Sequence, residues 1–152
     1  MPTRRIVDAW METHNVRTIR FDFRDDPIDF KAGQFIVCKD EFRGYKRPVQ
    51  RAYSIASTPW QRDFVDITIK RELPGLMSAR LTEVPVGYEM EVTGPSGKYL
   101  YDVDRGKRVL LLGAGSGITP LYSIANYLLE GGIEGADVMM YYSVRTPADI
   151  IY

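Results

Sequence analysis

The chain has 152 residues, 45% hydrophobic and 26% charged, and its twenty basic residues balance twenty acidic ones. That length holds one full domain, or one domain and part of another, and the zero net charge gives no global field that favours nucleic acid or an anionic membrane. Cys38 and His14 are single residues of their types, which excludes an internal disulfide, a cysteine-ligated zinc or iron–sulfur centre held by this chain alone, and a histidine metal cluster.

Met1-Pro2-Thr3-Arg4-Arg5 leads into a mixed segment with Asp8 and Glu12, so no secretory signal is visible and a cytoplasmic location is expected. The first hundred residues read as short strands at 5–12, 16–22, 34–38, 51–57, 64–70 and 89–93. Breakers lie between them at Asp26-Pro27, Ala32-Gly33, Thr58-Pro59, Pro85-Val86-Gly87 and Gly94-Pro95-Ser96-Gly97. Six strands at this spacing predict a small antiparallel barrel. In residues 64–70 the alternation puts Phe64, Asp66, Thr68 and Lys70 on one face and Val65, Ile67 and Ile69 on the other. A helix is predicted over 76–83, after Gly75. Cys38, at the end of an apolar strand, reads as a small buried filler.

Residues 109–129 carry no charge, but Gly113, Gly115, Gly117 and Pro120 interrupt them, so they read as strand, turn and helix rather than a membrane span. Val109-Leu110-Leu111-Leu112 is an unbroken apolar strand of the kind covered on both faces in parallel sheets. A helix from about Pro120 to Glu130 follows, ended by Gly131-Gly132. A second apolar strand covers 138–144, and residues 149–152 begin another helix. The expected domains are a barrel over 1–102 and the first part of an α/β Rossmann-like domain over 103–152, with the chain ending inside that second domain.

Three stretches carry chemistry. Arg51-Ala52-Tyr53-Ser54 places a cation, a flat ring and a hydroxyl on consecutive strand positions. A guanidinium clamps a diphosphate, a phenol ring lies against an aromatic plate, and a hydroxyl bonds a ring nitrogen. That set fits a flavin seat; it equally fits an ordinary barrel strand with a snorkelling Arg and a half-buried Tyr. Gly113-Ala114-Gly115-Ser116-Gly117 occupies the first strand-to-helix turn, where glycines let a phosphate approach the backbone and a helix N-terminus favours anions. Its spacing departs from G-x-G-x-x-G at Ile118, and no acidic residue ends the next strand to bind a ribose. Gly75-Leu76-Met77-Ser78 opens the short helix, whose N-terminus after Gly75 is a ready anion site.

In their order, Ala32-Gly33-Gln34-Phe35, Arg51-Ala52-Tyr53-Ser54, Gly75-Leu76-Met77-Ser78, Gly94-Pro95-Ser96-Gly97 and Gly115-Ser116-Gly117-Ile118-Thr119-Pro120 resemble the ferredoxin–NADP+ reductase-like flavoenzymes over nearly the whole chain. The resemblance implies an all-β antiparallel barrel that holds FAD and a following Rossmann-like domain that binds NAD(P)H. It implies that Arg51 contacts the FAD diphosphate within the Arg51–Ala52–Tyr53–Ser54 strand, that Tyr53 lies against the flavin, and that Ser54 bonds near flavin N5. It places Thr68, Ile69 and Lys70 beside the flavin nucleotide and Gly75, Leu76, Met77 and Ser78 around its diphosphate. It sets Gly115, Ser116, Gly117 and Thr119 where nicotinamide and flavin meet, with Tyr53, Ser54 and Thr119 at the reacting edge. Val144 and Arg145 fall on the nicotinamide nucleotide; Arg145 fits either a 2′-phosphate ligand or an exposed loop residue, so NADP against NAD stays open. The family's later motifs, a cysteine-containing segment and a terminal aromatic, have no counterpart here.

The function expected is an NAD(P)H-dependent flavin oxidoreductase that passes electrons to a small acceptor or to a redox protein such as a ferredoxin or flavodoxin. The alternative is a flavin-binding module that is not catalytic without a further segment or partner. A nucleic-acid-binding barrel using Arg43, Lys46 and Arg47 is disfavoured, because nothing pairs those residues with stacking aromatics.

Overall fold

The computed structural model of the protein describes residues 2–131 and 133–152. Among these, six strands, β1 (Thr3–Thr13), β2 (Val16–Asp22), β3 (Phe35–Asp40), β4 (Val49–Ser54), β5 (Phe64–Lys70) and β6 (Glu89–Ser96), form one antiparallel sheet ordered β4-β3-β6-β1-β2-β5. The two edge strands meet. After Ser54 the chain leaves β3 and turns to β5, through the Ile55–Ile67 bridge and an Ala56 N–H that donates to Asp66 O at 2.7 Å. That bridge and that bond bring the two edges together after Ser54, so the sheet curls into the predicted barrel.

Val65, Ile67 and Ile69 fill the barrel with Ile6, Ile19, Phe21, Ile36 and Cys38, so the inward face of β5 is the one its alternation indicates. Its other face is also covered. Asp66 and Thr68 are buried, Asp66 in a bidentate pair with Arg20 at 2.7 and 2.8 Å, and Thr68 on the hydroxyl of Thr18 at 2.8 Å. Burial raises the Asp66 carboxyl, and Arg20 opposes that shift.

Cys38 is wholly buried, and desolvation pushes its thiol up to about 12. The native chain should therefore resist a thiol reagent at pH 8, because only the thiolate attacks. Titration with a chromogenic disulfide should find no reactive thiol until denaturant is added. Prompt stoichiometric reaction of the folded chain would contradict the placement. The same group has a sign for stability. Its folded pKa lies above the ordinary 9.0, so its contribution is complete below pH 9 and fades as the pH rises toward 12.

Helix α1 (Leu76–Leu81) stops two residues short of the predicted end, because Thr82 donates its hydroxyl to Ser78 O and Ala79 O, both at 2.9 Å. Strand β6 runs three residues past the predicted 93. Gly94-Pro95 does not break it but sits in an irregularity of the β3–β6 register, where Phe35 pairs with Ser96 and Val37 with Thr93.

Residues after the turn at Val103–Arg105 form a parallel pair, β7 (Arg108–Ala114) and β8 (Asp137–Ser143), with helix α2 (Ile118–Glu130) between them. Leu111 packs under Ile118, Leu121, Ile124 and Leu128 of α2. The expectation of cover on both faces is corrected here. Leu110, Leu112, Met139 and Tyr141 project from the opposite face and are each more than half exposed, because the two-stranded sheet carries a helix on one side only. Residues 149–152 do not begin a helix: Pro147–Asp149 is a single 3-10 turn closed by a Thr146–Asp149 capping box, and Ile150 is already extended. Gly131 caps α2 as expected, and Gly132 lies outside the described residues. A Cβ on Gly131 would meet the Trp60 ring at 2.4 Å; its absence lets Trp60 stack on Tyr127 at 5.0 Å and tie α2 to the barrel. Among the described residues no helix is long and apolar enough to cross a membrane.

Candidate functional site

Strand β4 is held in place by β3, with Arg51 opposite Cys38, Ala52 opposite Val37, Tyr53 opposite Ile36 and Ser54 opposite Phe35. Directly opposed residues share a face, so Tyr53 follows Ile36 toward the barrel and packs against its core. Burial first of all raises the Tyr53 phenol well above its usual range, with Arg51 working against the shift. The ring thus stays neutral and fixed. Arg51 is exposed, and its guanidinium donates to Gln50 O at 2.7 Å. It has no carboxylate partner among the described residues.

Ala52, Tyr53 and Ser54 line a cavity of about 200 Å³ together with Thr68, Lys70, Glu72, Ser116 and Thr119. Two barrel strands and the glycine turn of the α/β part converge there. The turn is shaped for close approach: Gly115 has φ +49°, and a Cβ on it would meet no atom within 4 Å. Thr119, at the second position of α2, donates its hydroxyl to Ser116 O at 3.0 Å, and Tyr142 of β8 donates to Gly115 O at 3.1 Å. Tyr152 stacks on Tyr122 with centroids 3.9 Å apart and donates to Thr68 Oγ1 at 2.5 Å and to Thr119 Oγ1 at 3.4 Å. Its hydroxyl thus ties Thr68 of β5 to Thr119 of α2.

A second, more open cavity of about 640 Å³ lies on the other side of Arg51. It is bounded by Tyr45, Arg47, Pro48, Val49 and Gln50 on the hairpin and by Pro74, Gly75 and Leu76 before α1. The structure thus brings Arg51 beside Gly75 and Leu76, and Ala52, Tyr53 and Ser54 beside Thr68, Lys70, Ser116 and Thr119. Ile69 and Met77 are different: both side chains are buried in the barrel core, so only their backbone is free to face a ligand. Ser78 makes no N-cap bond; its hydroxyl donates to Glu72 O at 3.1 Å and receives the Glu72 N–H at 3.3 Å, pinning the turn before the helix. Val144 and Arg145 follow β8 and line neither cavity. Glu72, Tyr142 and Tyr152 are additions that the motifs do not contain. Tyr142 is signalled by its place near the end of β8; Glu72, in a turn, and Tyr152 carry no sequence signal of a site.

Residues 4–101 match the family described as oxidoreductase FAD-binding domain. The chain belongs to this ferredoxin reductase-like flavoenzyme family. Residues 111–152 match the oxidoreductase NAD-binding domain. The glycine betaine monooxygenase reductase subunit of Pseudomonas aeruginosa is 38% identical over 151 residues, which are 97% of this chain and 40% of that protein. The FAD/NAD-binding domain of nitric oxide dioxygenase from Vibrio cholerae superposes with a TM-score of 0.88 at 26% identity, over 98% of this chain and 65% of that one. The ferredoxin reductase in carbazole 1,9a-dioxygenase superposes with a TM-score of 0.84 at 29% identity, over 99% of this chain and 44% of that one. The chain therefore spans about two-fifths of the length of the reductase subunit it matches. Within the ferredoxin reductase-like family its cofactors are FAD and a nicotinamide dinucleotide, and its barrel followed by a partial Rossmann-like unit is the family's architecture.

Proposed function

We propose that this chain is the flavin- and nicotinamide-handling core of an NAD(P)H-dependent flavin oxidoreductase, with a flavin domain over 1–102 and nicotinamide-binding residues within 103–152. The observation that carries the reading is the convergence of Ala52–Ser54, Thr68 and Lys70 from the barrel with Ser116 and Thr119 from the glycine turn on one cavity. The residues fit the cofactor. The hydroxyl-bearing Ser54, Thr68, Ser116 and Thr119 line the smaller cavity with Tyr53, Lys70 and Glu72, and Arg51, without a carboxylate partner among the described residues, lines the larger one.

When bound, FAD supplies the hydride acceptor and the one-electron steps that follow. The protein's part is positional. Tyr53 is held neutral as a flat wall, and the Ser54 hydroxyl is placed to bond at the N5 edge. Thr119, anchored on Ser116 O, stands where nicotinamide enters. Arg51 and the backbone N–H groups of Leu76, Met77 and Ser78 take the diphosphate, because the first turn of a helix has no internal acceptors for them. Thr68, Ile69, Lys70 and Gly75 complete the flavin nucleotide site; Gly115 and Gly117 leave room for nicotinamide. Val144 and Arg145 contact the nicotinamide nucleotide from outside that cavity. No acid–base dyad is needed for hydride transfer. The acceptor proposed is a one-electron carrier protein such as a ferredoxin or flavodoxin, in the cytoplasm.

A second reading is a flavin-binding module that turns over only with another segment or partner; the exposed face of Leu110, Leu112, Met139 and Tyr141 favours it. Stopped-flow mixing of the flavin-loaded chain with NADH or NADPH separates the two. Rapid bleaching of the visible flavin absorption band supports the first reading. A flavin that binds but is not bleached by either nucleotide overturns it in favour of the second.

A further inference from the structure

We propose that Thr68, Thr18 and Glu12 form a proton exit from the flavin cavity, a row of hydrogen bonds that carries a proton away from the reacting edge when electrons leave the flavin. The inference rests on the flavin reading above and adds to it residues of β1 and β2 that lie outside the family motifs.

The hydride that nicotinamide delivers leaves again as two electrons and one proton. The electrons pass singly to the carrier protein proposed above, and the proton needs a way out of its own. The N–H bond at the flavin edge therefore breaks toward an acceptor in the cavity wall, and the proton moves from there to water.

The wall holds such a row. Thr68 lines the 200 Å³ cavity, and its hydroxyl lies 2.8 Å from that of Thr18. Thr18 donates to Glu12 Oε1 at 2.7 Å. Glu12 lines a different cavity of about 330 Å³, together with Trp10, Gln61, Asn126 and Glu130. The row thus joins two cavities through the interior of the β2–β5 wall, where Thr18 is 1% and Thr68 6% exposed. Hydroxyls are the path there.

The direction of the row is fixed as well. A hydroxyl has one proton and two lone pairs, and a carboxylate only accepts. Thr18 commits its proton to Glu12, so it accepts from Thr68. Thr68 in turn commits its proton to Thr18 and accepts from Tyr152 at 2.5 Å. Burial raises the Tyr152 phenol well above its usual range, so it keeps the proton it donates. Thr68 retains one lone pair for a donor in the cavity. A proton taken up there moves one along at each oxygen, and the last arrives on the Glu12 carboxylate.

Glu12 is held for that task. Its Oε1 also receives the Trp10 indole N–H at 2.7 Å, and its Oε2 the Tyr152 N–H at 3.4 Å. Facing it across the second cavity are Arg20 and Asp66, which pair with each other, Glu130 of α2, and the phenols of Tyr122 and Tyr152. Glu12 makes no ion pair among the described residues, so protonating it breaks none. Glu12 and Thr18 act through Thr68 and touch no cofactor.

The test has one arm without flavin and one with it. In the flavin-free chain, proton NMR should show the Thr18 and Thr68 hydroxyl protons in slow exchange with water. Thr18→Val, which keeps the shape and removes the hydroxyl, should move the Thr68 signal upfield as that proton loses its acceptor. In the FAD-loaded chain, reduced with dithionite and mixed with ferricyanide as one-electron acceptor, reoxidation should be slower in D2O than in H2O. It should slow at least about tenfold in Thr18→Val and in Glu12→Gln, a modest share of what a positioned proton acceptor supplies. Thr18→Ser, which returns the hydroxyl, should recover the rate and the solvent isotope effect. Equal reoxidation rates in wild type, Thr18→Val and Glu12→Gln overturn the proposal. So does a Thr18→Ser variant as slow as Thr18→Val, which would make the effect one of packing, or a wild-type chain without the two hydroxyl signals. A wild-type chain that shows both signals but takes up no FAD instead overturns the function proposed above, and this role with it.

Discussion

Gly33→Ala should destabilise the chain by about 3 kcal/mol, combining left-handed backbone strain of roughly 1–2 kcal/mol with a steric clash. Gly33 has φ +96°, and a Cβ there would sit 2.2 Å from the carbonyl oxygen of Tyr99. That oxygen is main chain, so no side-chain rotation relieves the contact; the segment after β6 has to move. It is not free to move cheaply. The Tyr101 N–H donates to Ala32 O at 3.4 Å, Tyr101 packs against the second core, and Ala32 is buried in it. The substitution thus disturbs the joint between the barrel and the α/β part. At about 2–4 °C per kcal/mol for a chain of this size, the melting temperature should fall by roughly 10 °C. Gly44→Ala is the control. Gly44 has φ +88° but nothing within 4 Å of a Cβ, so only the backbone strain applies and the loss should be about 1–2 kcal/mol. Calorimetry of both variants checks the difference; equal melting temperatures would contradict the close packing of residues 32–33 under Tyr99.

Arg51→Ala should weaken FAD binding by about 10- to 100-fold, the effect of removing a hydrogen-bonding charge worth roughly 1.5–3 kcal/mol. The flavin-free variant should melt within about 1 °C of wild type, because an exposed surface side chain contributes little to stability. Arg51 is exposed and makes only the bond to Gln50 O, so nothing in the barrel depends on it. That separation makes the variant informative. A loss of FAD without a loss of stability assigns the guanidinium to the ligand. A stability loss equal to the binding loss would make Arg51 an ordinary strand residue.

Much of the fold was legible because it follows from periodicity. Val65, Ile67 and Ile69 alternate with polar residues, and the structure puts all three in the barrel. Strands β2 and β5 have the predicted bounds. The misses have physical causes. Gly94 and Pro95 look like a break, but an irregular register between β3 and β6 absorbs them. The apolar run of β7 looks like a strand covered twice, yet α2 covers only the Leu111 side. The helix expected over 149–152 is not formed: despite a capping box between Thr146 and Asp149, the chain makes one 3-10 turn and is extended at Ile150.

At the candidate site the sequence showed the motif residues but not which of them are accessible. Met77 and Ile69 lie within motifs, yet their side chains belong to the core, a distinction that only burial makes. Tyr45 and Arg47 were absent from the motif reading because hairpin geometry, not a recurrent spacing, brings them to a cavity, and Tyr142 and Tyr152 because they reach the glycine turn and Thr68 only through cross-element hydrogen bonds. Burial of polar residues on β5 was equally hidden: Asp66 and Thr68 have the polarity of a solvent face and are covered through Arg20, Thr18 and Tyr152.

Equilibrium titration of the folded, flavin-free chain with FAD tests the central claim most directly. Uptake of one FAD per chain, with a shifted flavin spectrum and a yellow protein after gel filtration, is the predicted result. A chain that keeps its β-sheet circular dichroism yet passes through saturating FAD colourless would contradict the flavin seat built on Arg51, Tyr53 and Ser54.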